Sequence, residues 1–260
     1  MGTRTSYAPG TFCWVELQTS DMEGARAFYH GLFGWDFETR PVPGAGEYTM
    51  MCLDDGTVAG GASLMPDQVE MGVPPNWFSY VSVEDADAAA ERVTGAGGRV
   101  LAGPFDVMTA GRMAVVADPQ GAVFGLWQPG DTIGATLVND PGCLTLNQLN
   151  TSDVAGATAF YTRVFGWDVR QMAETPPYWG LFVGEAVNGG MMPLDPSMQA
   201  PPHWLAYFTT ADMQEAVRRI GELGGRVMLP PTPVGPEQLI LVARDPQGAY
   251  FALYEGRVDP

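Results

Sequence analysis

The sequence predicts an α+β protein built from two similar domains in tandem, each made of two β-α-β-β-β units. The chain has 260 residues, which is enough for two domains of about 130 residues with cores of their own. Segments of the first half recur in the second half in the same order. Within each half, the spacing of apolar residues switches between the period of a strand and the period of a helix.

The internal repeat covers nearly the whole chain. TSDMEGARAFYHGLFGWDF (Thr19–Phe37) recurs as TSDVAGATAFYTRVFGWDV (Thr151–Val169), and DPQGAVFGLW (Asp118–Trp127) recurs as DPQGAYFALY (Asp245–Tyr254). A stretch rich in Gly, Pro, Asp and Asn separates the two copies. The predicted organisation is an N-terminal domain over residues 1–130, a linker over 131–140 and a C-terminal domain over 141–260.

The first unit begins with a predicted strand over Thr11–Thr19. Ser20 and Glu23 form the pattern of a capping box before an amphipathic helix, which Gly34 ends. One face of this helix is apolar and carries Ala25, Phe28, Tyr29, Leu32 and Phe33. Three further strands are predicted over Trp35–Thr39, Tyr48–Leu53 and Thr57–Leu64.

The second unit follows a Pro-rich connection over Pro66–Pro75. A strand is predicted over Trp77–Val83 and a helix over Asp85–Ala96, with strands near Arg99, Met113 and Val123. The second half of the chain, from Gly142 to Glu255, repeats this order of elements.

Composition excludes several classes of partner. The formal charge is −17, and all thirteen basic residues are arginine, so neither nucleic acid nor an anionic membrane surface is an expected partner. No stretch of eighteen apolar residues and no signal-peptide pattern is present. The three cysteines lack metal-site or disulfide spacing and suit a reducing compartment, so we expect a cytoplasmic protein.

The motifs resemble those of a known family. D-x-x-x-A-x-x-F-Y-x-x-x-F-G-W at Asp21–Trp35 and D-P-Q-G-x-x-F at Asp118–Phe124 are similar to motifs of vicinal-oxygen-chelate domains, the glyoxalase, bleomycin-resistance and dioxygenase superfamily. The chain most resembles a two-domain actinobacterial branch described as hydroxylase-like, with members in aromatic polyketide antibiotic pathways. The resemblance implies that two units pair in each domain to form a cupped, barrel-like sheet.

Catalytic members of this superfamily bind a divalent metal in the cup through His, Gln or Glu side chains. The resemblance places non-ligands at the corresponding positions of both domains. They are Trp14 and Leu146, Gly60-Gly61 and Gly189-Gly190, Phe78 and Leu205, and Gly125 and Ala252. A shift of one or two residues in register would instead bring Glu16, Gln148, Asn76, His203 or Glu255 into reach of a metal. We expect no metal and no other cofactor.

Loss of the ligands predicts an aromatic-lined pocket for a small molecule. The predicted substrate-binding residues are Trp14, Gln18, Asn76, Phe78, Trp127, Gln148, Asn150, Trp204 and Tyr254. Glu16 and His203 are the candidate catalytic residues, because a buried carboxylate needs a partner and a histidine titrates near neutral pH. Tyr48 and Trp179 are expected to lie over the cups as parts of lids.

Three functions remain open from the sequence. The first is a metal-independent protein that binds or transforms a hydrophobic aromatic molecule, either a hydroxylase-type tailoring or auxiliary protein of antibiotic biosynthesis or a resistance protein. The second is a metal-dependent lyase, isomerase or dioxygenase of the glyoxalase type. The third is an interaction module whose cups are filled by side chains.

Overall fold

The computed structural model describes residues 2–42, 46–54, 56–195 and 200–258. The elements of the N-terminal half are β1 (Gly2–Thr3), β2 (Phe12–Thr19), α1 (Met22–Phe33), β3 (Asp36–Val42), β4 (Gly46–Leu53), β5 (Gly56–Ser63), α2 (Pro66–Glu70), β6 (Asn76–Ser82), α3 (Ala86–Gly95), β7 (Arg99–Val107), β8 (Gly111–Ala117) and β9 (Val123–Pro129). Those of the C-terminal half are β10 (Leu137–Val138), β11 (Leu144–Thr151), α4 (Val154–Phe165), β12 (Asp168–Glu174), β13 (Pro177–Val183), β14 (Ala186–Pro193), β15 (His203–Thr209), α5 (Met213–Glu222), β16 (Arg226–Gly235), β17 (Gln238–Arg244) and β18 (Tyr250–Glu255).

Each half forms one curled, eight-stranded sheet. The strand order is β3-β4-β5-β2-β6-β9-β8-β7 in the first sheet and β12-β13-β14-β11-β15-β18-β17-β16 in the second. The first strand of each β-α-β-β-β unit pairs in parallel with the last strand of the same unit, as β2 does with β5 and β6 does with β9. The predicted α+β fold of tandem cupped sheets is confirmed. The predicted linker contains β10, which pairs with β1.

The N-cap of the first helix lies one residue later than the predicted capping box places it. Asp21 is the N-cap, because its backbone is extended and its carboxylate accepts a hydrogen bond from Gly24 N at 3.0 Å. Ser20 is exposed, so the capping-box assignment to Ser20 and Glu23 was wrong. Gly34 ends the helix as predicted, since its φ of 78° lies in the left-handed region.

The Pro-rich connection also differs from the prediction of a plain loop. It contains the short helix α2, which begins with a proline at its first turn, where the missing N–H costs nothing. None of the residues of α2 is buried, which explains why no apolar periodicity announced it.

The convex faces of the two sheets share their core. On β6, Trp77 and Val81 point away from the cup and pack in clusters that include Phe208 and Leu149 of the other domain. The helices pair across the same interface, α1 with α5 and α3 with α4. At roughly 1.5–3 kcal/mol for each fully buried large side chain, this shared core is a main source of stability. The two domains therefore fold against each other, back to back.

The D-P-Q-G motif connects the domains. Asp118 accepts backbone N–H groups of its own turn through Oδ1, and its Oδ2 accepts the hydroxyl of Tyr161 at 3.1 Å. Asp245 does the same with the hydroxyl of Tyr29 at 3.0 Å. Burial raises the pKa of both carboxyl groups despite these hydrogen bonds. The motif thus has a structural role in this chain.

Helices long and apolar enough to cross a membrane are absent from the residues described.

Candidate functional site

Each sheet presents a concave face whose side chains come from alternate positions of the two central strands. Cup 1 is the concave face around Trp14, Glu16, Gln18, Asn76, Phe78 and Tyr80. Cup 2 is the concave face around Leu146, Gln148, Asn150, His203, Leu205 and Tyr207. The register pairs Glu16 with Phe78 in one cup and Gln148 with Leu205 in the other, so the two sites are built on the same frame.

A glycine on the neighbouring strand opens the floor of each cup to a tyrosine. Gly60 pairs with Glu16, and a Cβ at Gly60 would lie 2.1 Å from the hydroxyl oxygen of Tyr48. In cup 2, Gly190 pairs with Gln148, and its added Cβ would lie 1.8 Å from the hydroxyl oxygen of Tyr178. The space where the resemblance placed a metal ligand is therefore occupied by a tyrosine hydroxyl from the adjacent strand.

Glu16 is the charged centre of cup 1. The hydroxyls of Tyr48 and Tyr80 and the amide of Gln18 all donate hydrogen bonds to its carboxylate. Burial nevertheless raises the pKa of Glu16, because these donors only partly replace the water that the charge has lost. The Glu16 side chain is densely surrounded yet keeps part of its surface exposed, as expected for a group on a concave face.

The donors around Glu16 are themselves held in place. Trp14 Nε1 donates to the Tyr48 hydroxyl at 3.0 Å, and Asn76 Nδ2 donates to Gln18 Oε1 at 3.4 Å. The pKa values of Tyr48 and Tyr80 are raised well above the ordinary range by burial and by the Glu16 charge, so both stay protonated. Trp14 and Asn76 thus support, through Tyr48 and Gln18, two of the groups that donate to Glu16.

Aromatic side chains wall cup 1. Trp14 and Phe78 are 7% and 8% exposed. The rings of Phe78 and Tyr80 meet edge to face, with their centroids 4.9 Å apart. Trp127 packs on the same cluster and is only partly buried, with its indole N–H donated to Thr132 O at 2.9 Å. An apolar wall beside one carboxylate suits a planar ligand that carries a hydrogen-bond donor.

Cup 2 contains a neutral chain of hydrogen bonds at the corresponding positions. Tyr207 donates to Gln148 Oε1 at 3.0 Å, and Gln148 Nε2 donates to Asn150 Oδ1 at 3.0 Å. Asn150 Nδ2 lies 3.2 Å from His203 Nε2, and His203 Nδ1 lies 2.8 Å from Pro201 O. Because the carbonyl can only accept, Nδ1 carries the proton and Nε2 accepts from Asn150.

The structure brings together most of the predicted site residues but divides them between two cups. Trp14, Glu16, Gln18, Asn76, Phe78 and Trp127 lie in cup 1, whereas Gln148, Asn150, His203 and Tyr254 lie in cup 2. Both ring nitrogens of His203 are engaged, so the ring orients Asn150 in this arrangement. Glu16 and His203 thus do not share a site.

Four residues lie elsewhere than expected. Trp204 faces the interdomain core and donates to the Tyr161 hydroxyl, because its neighbours His203 and Leu205 take the cup face of the strand. Trp179 packs against the same core for the same reason, so neither it nor Tyr48 belongs to a lid. Glu255 accepts the backbone N–H of Met213 at the start of α5.

Sequence reasoning missed Tyr80, Tyr178 and Tyr207, and it predicted Tyr48 only as part of a lid. Tyr80 and Tyr207 occur two residues beyond Phe78 and Leu205, on the same face of their strands, and that period was a usable signal. Tyr48 and Tyr178 reach the cups only because Gly60 and Gly190 leave space, which no local pattern encodes.

The donors present do not fit a divalent metal. Glu16 is the one carboxylate in the network of cup 1, and the tyrosines beside it stay protonated. Within the described ranges, no group of three or more His, Cys, Asp or Glu residues converges. Catalytic zinc, iron or manganese sites are built from about three such donors, so we derive no step through a metal.

Two cavities lie outside the cups. One of about 450 Å³ lies beside α3 and α4, between Arg92 and Arg163, and the other of about 100 Å³ lies near Asn147 and Asn188. No aromatic side chain lines the first cavity, and the second, which Tyr7 and Phe12 line, is small for an aromatic ligand, so the chemistry favours the cups as the candidate sites.

A profile of the Glyoxalase/Bleomycin resistance protein/Dioxygenase superfamily matches residues 11–126 and 144–253, and the chain belongs to this superfamily. It is 39% identical over 256 residues to "Putative glyoxylase CFP32" of Mycobacterium tuberculosis (strain CDC 1551 / Oshkosh), with 97% of each chain covered. It is 36% identical over 268 residues to the "Anthracycline biosynthesis protein DnrV" of Streptomyces peucetius, covering 97% of this chain and 96% of the relative.

Solved structures share the fold at low sequence identity. The 2,3-dioxygenase LapB from Pseudomonas sp. KL28 superposes with a TM-score of 0.69 at 14% identity, covering 98% of this chain and 95% of that one. The Mn(II)-bound glyoxalase from Novosphingobium aromaticivorans gives 0.67 at 14% identity, covering 96% and 84%. These likenesses support the architecture alone.

Proposed function

We propose that this protein binds a hydrophobic aromatic small molecule in cup 1 without a metal, and that Glu16 accepts a hydrogen bond or a proton from a hydroxyl group of that molecule. One observation carries the proposal: a single carboxylate of raised pKa lies on the concave face of the first sheet, beside the aromatic side chains of Trp14 and Phe78. A carboxylate whose pKa is raised is a stronger base than an ordinary glutamate and is better suited to take a proton from a phenol.

The chemistry of such a step needs only the residues of the cup. The proton moves from the ligand oxygen to the Glu16 carboxylate, and the negative charge moves to the ligand oxygen. Trp14 and Phe78 contact the ring faces and exclude water, which strengthens each hydrogen bond in the cup. Tyr48 and Tyr80 hold the carboxylate in position before and after the transfer.

The relative from Streptomyces peucetius supports a role near aromatic polyketides, since its name places it in anthracycline biosynthesis. We therefore propose a tailoring or auxiliary protein of such a pathway, or a resistance protein that sequesters its product. The proposed location is the cytoplasm, where the free thiols of Cys13, Cys52 and Cys143 are stable.

The test compares 2-naphthol with 2-methoxynaphthalene, which has the same rings but no hydroxyl hydrogen. Quenching of tryptophan fluorescence reports binding beside Trp14. We expect 2-naphthol to bind about tenfold more tightly than the ether, since a hydrogen bond to a charged group is worth roughly 1.5–3 kcal/mol. Glu16→Gln should remove most of this preference.

Elemental analysis of the purified protein completes the test. Equal affinity of the wild type for the two naphthalenes would refute the role of Glu16. A stoichiometric divalent metal whose removal abolishes binding would refute metal independence and restore the metal-dependent alternative.

A further inference from the structure

The hydroxyl of Tyr178 in cup 2 lacks the partners that its counterpart, Tyr48, has in cup 1. Tyr48 donates to Glu16 and accepts from Trp14. At the corresponding places of cup 2 stand Gln148 and Leu146. Among the residues described, no hydrogen bond joins Tyr178 to another group: Tyr207, and not Tyr178, donates to Gln148 Oε1, and Leu146 has nothing to donate.

The position of Tyr178 directs this free hydroxyl into the cup. Its oxygen lies where a side chain of Gly190 would stand, next to Gln148 on the concave face. Burial raises the pKa of Tyr178 to about 12, so the hydroxyl keeps its hydrogen at neutral pH. A ligand acceptor in the cup would give this hydroxyl the hydrogen-bond partner that no described side chain supplies.

The surroundings define the acceptor that fits. The wall of cup 2 is apolar, formed by Leu205 and Ala252 with Leu146, Ile240 and Val242 partly exposed beside them. The polar groups at its centre, Gln148, Asn150 and Tyr207, are neutral and are paired with one another or with His203. Neither a cation nor an anion finds a counter-charge there.

We propose that cup 2 is a second small-molecule site, selective for a neutral planar ligand that carries a carbonyl group, and that Tyr178 Oη donates the hydrogen bond that selects it. This site does not depend on the function proposed for cup 1. The two cups then take ligands of opposite character: cup 1 accepts a hydrogen bond from a hydroxyl, and cup 2 donates one to a carbonyl.

The test uses 2-acetonaphthone, an aryl ketone with the ring system of 2-naphthol, in equilibrium dialysis against the full-length protein. We expect saturable binding to the wild type and an affinity about three- to tenfold lower in Tyr178→Phe. Tyr250→Phe is the matched control, because Tyr250 is exposed on the same domain, and it should bind the ketone as the wild type does. Binding of 2-naphthol should be unchanged in both variants.

A second variant keeps the hydroxyl but moves it. Gly190→Ala places a Cβ on the Tyr178 oxygen and should lower ketone affinity as Tyr178→Phe does. Wild-type ketone affinity in Tyr178→Phe would overturn the proposal, as would a wild-type protein that shows no saturable binding up to the solubility limit. If the ketone binds through Tyr178 while 2-naphthol does not bind, the proposal for cup 1 fails and this one stands.

Discussion

The central strands of the two cups have the same register, but their hydrogen bonds run in opposite directions. In cup 1, the amide of Gln18 and two tyrosine hydroxyls all donate to Glu16. In cup 2, Gln148 stands at the position of that glutamate. It accepts from Tyr207 and donates to Asn150, which in turn donates to His203. A carboxylate can only accept whereas an amide both accepts and donates, so the difference between Glu16 and Gln148 accounts for the reversal at this position.

The interface between the domains shows no such divergence. Tyr29 donates to Asp245 and Tyr161 donates to Asp118 with nearly the same geometry. The duplicated fold is therefore preserved where the domains pack and has changed where a ligand would bind. We therefore propose that the cups, and not the core, distinguish the two halves in function.

The largest effect is expected when cup 2 is given the charge of cup 1. Gln148→Glu puts a carboxylate at a position that is 6% exposed and removes the N–H donated to Asn150. Leaving a buried charge underpaired should lower the free energy of unfolding by about 3 kcal/mol at neutral pH, measured by urea denaturation. The reverse change, Glu16→Gln, is the matched comparison and should cost much less. Equal costs would show that the walls of the two cups tolerate charge alike.

An intermediate effect on stability is expected when a methyl group is added at the glycine of each cup. Gly60→Ala must displace Tyr48, which is held by Glu16 and Trp14, and should cost about 2 kcal/mol of stability at about 1 kcal/mol for each hydrogen bond. Gly190→Ala displaces Tyr178, which has no partner among the described residues to lose, and should cost under about 1 kcal/mol.

Gly221→Ala in α5 is the control for these two variants, because an added Cβ meets open space there. Replacing a helical glycine should stabilise the protein by about 0.5–1 kcal/mol. A cost for Gly190→Ala as large as that for Gly60→Ala would contradict the view that Tyr178 is the unpaired counterpart of Tyr48.

The smallest expected effect is the pH dependence of stability that Glu16 causes. Burial raises the pKa of Glu16 above its ordinary 4.5, so between 4.5 and the raised value the folded state binds more protons than the unfolded state. The wild type should therefore lose stability relative to Glu16→Gln as the pH rises through that window. Gln148→Met, a neutral change in cup 2, should show no such trend. Urea unfolding at several pH values measures the difference in free energy of unfolding between the wild type and Glu16→Gln. A difference that stays constant with pH would argue against the raised pKa of Glu16.

Much of the fold followed from local patterns. The repeat, the switch of apolar period and Gly34 predicted the order of strands and helices, and the motif resemblance predicted how they pair. The errors occurred where burial gave no periodic signal, as in α2, or where two capping residues competed, as at Ser20 and Asp21. For the site, alternation along the strands predicted that Trp14, Glu16 and Gln18 share one face.

By itself, the sequence determined the tandem architecture and the residue types that each central strand offers to its cup, because strand and helix periods are local properties of the chain. The tertiary structure alone decided that Trp204 faces the core, that Tyr48 and Tyr178 enter the cups above Gly60 and Gly190, and that Tyr178 lacks the partners of Tyr48. These contacts join strands whose pairing depends on distant residues, and the direction of a hydrogen bond depends on every group that competes for it.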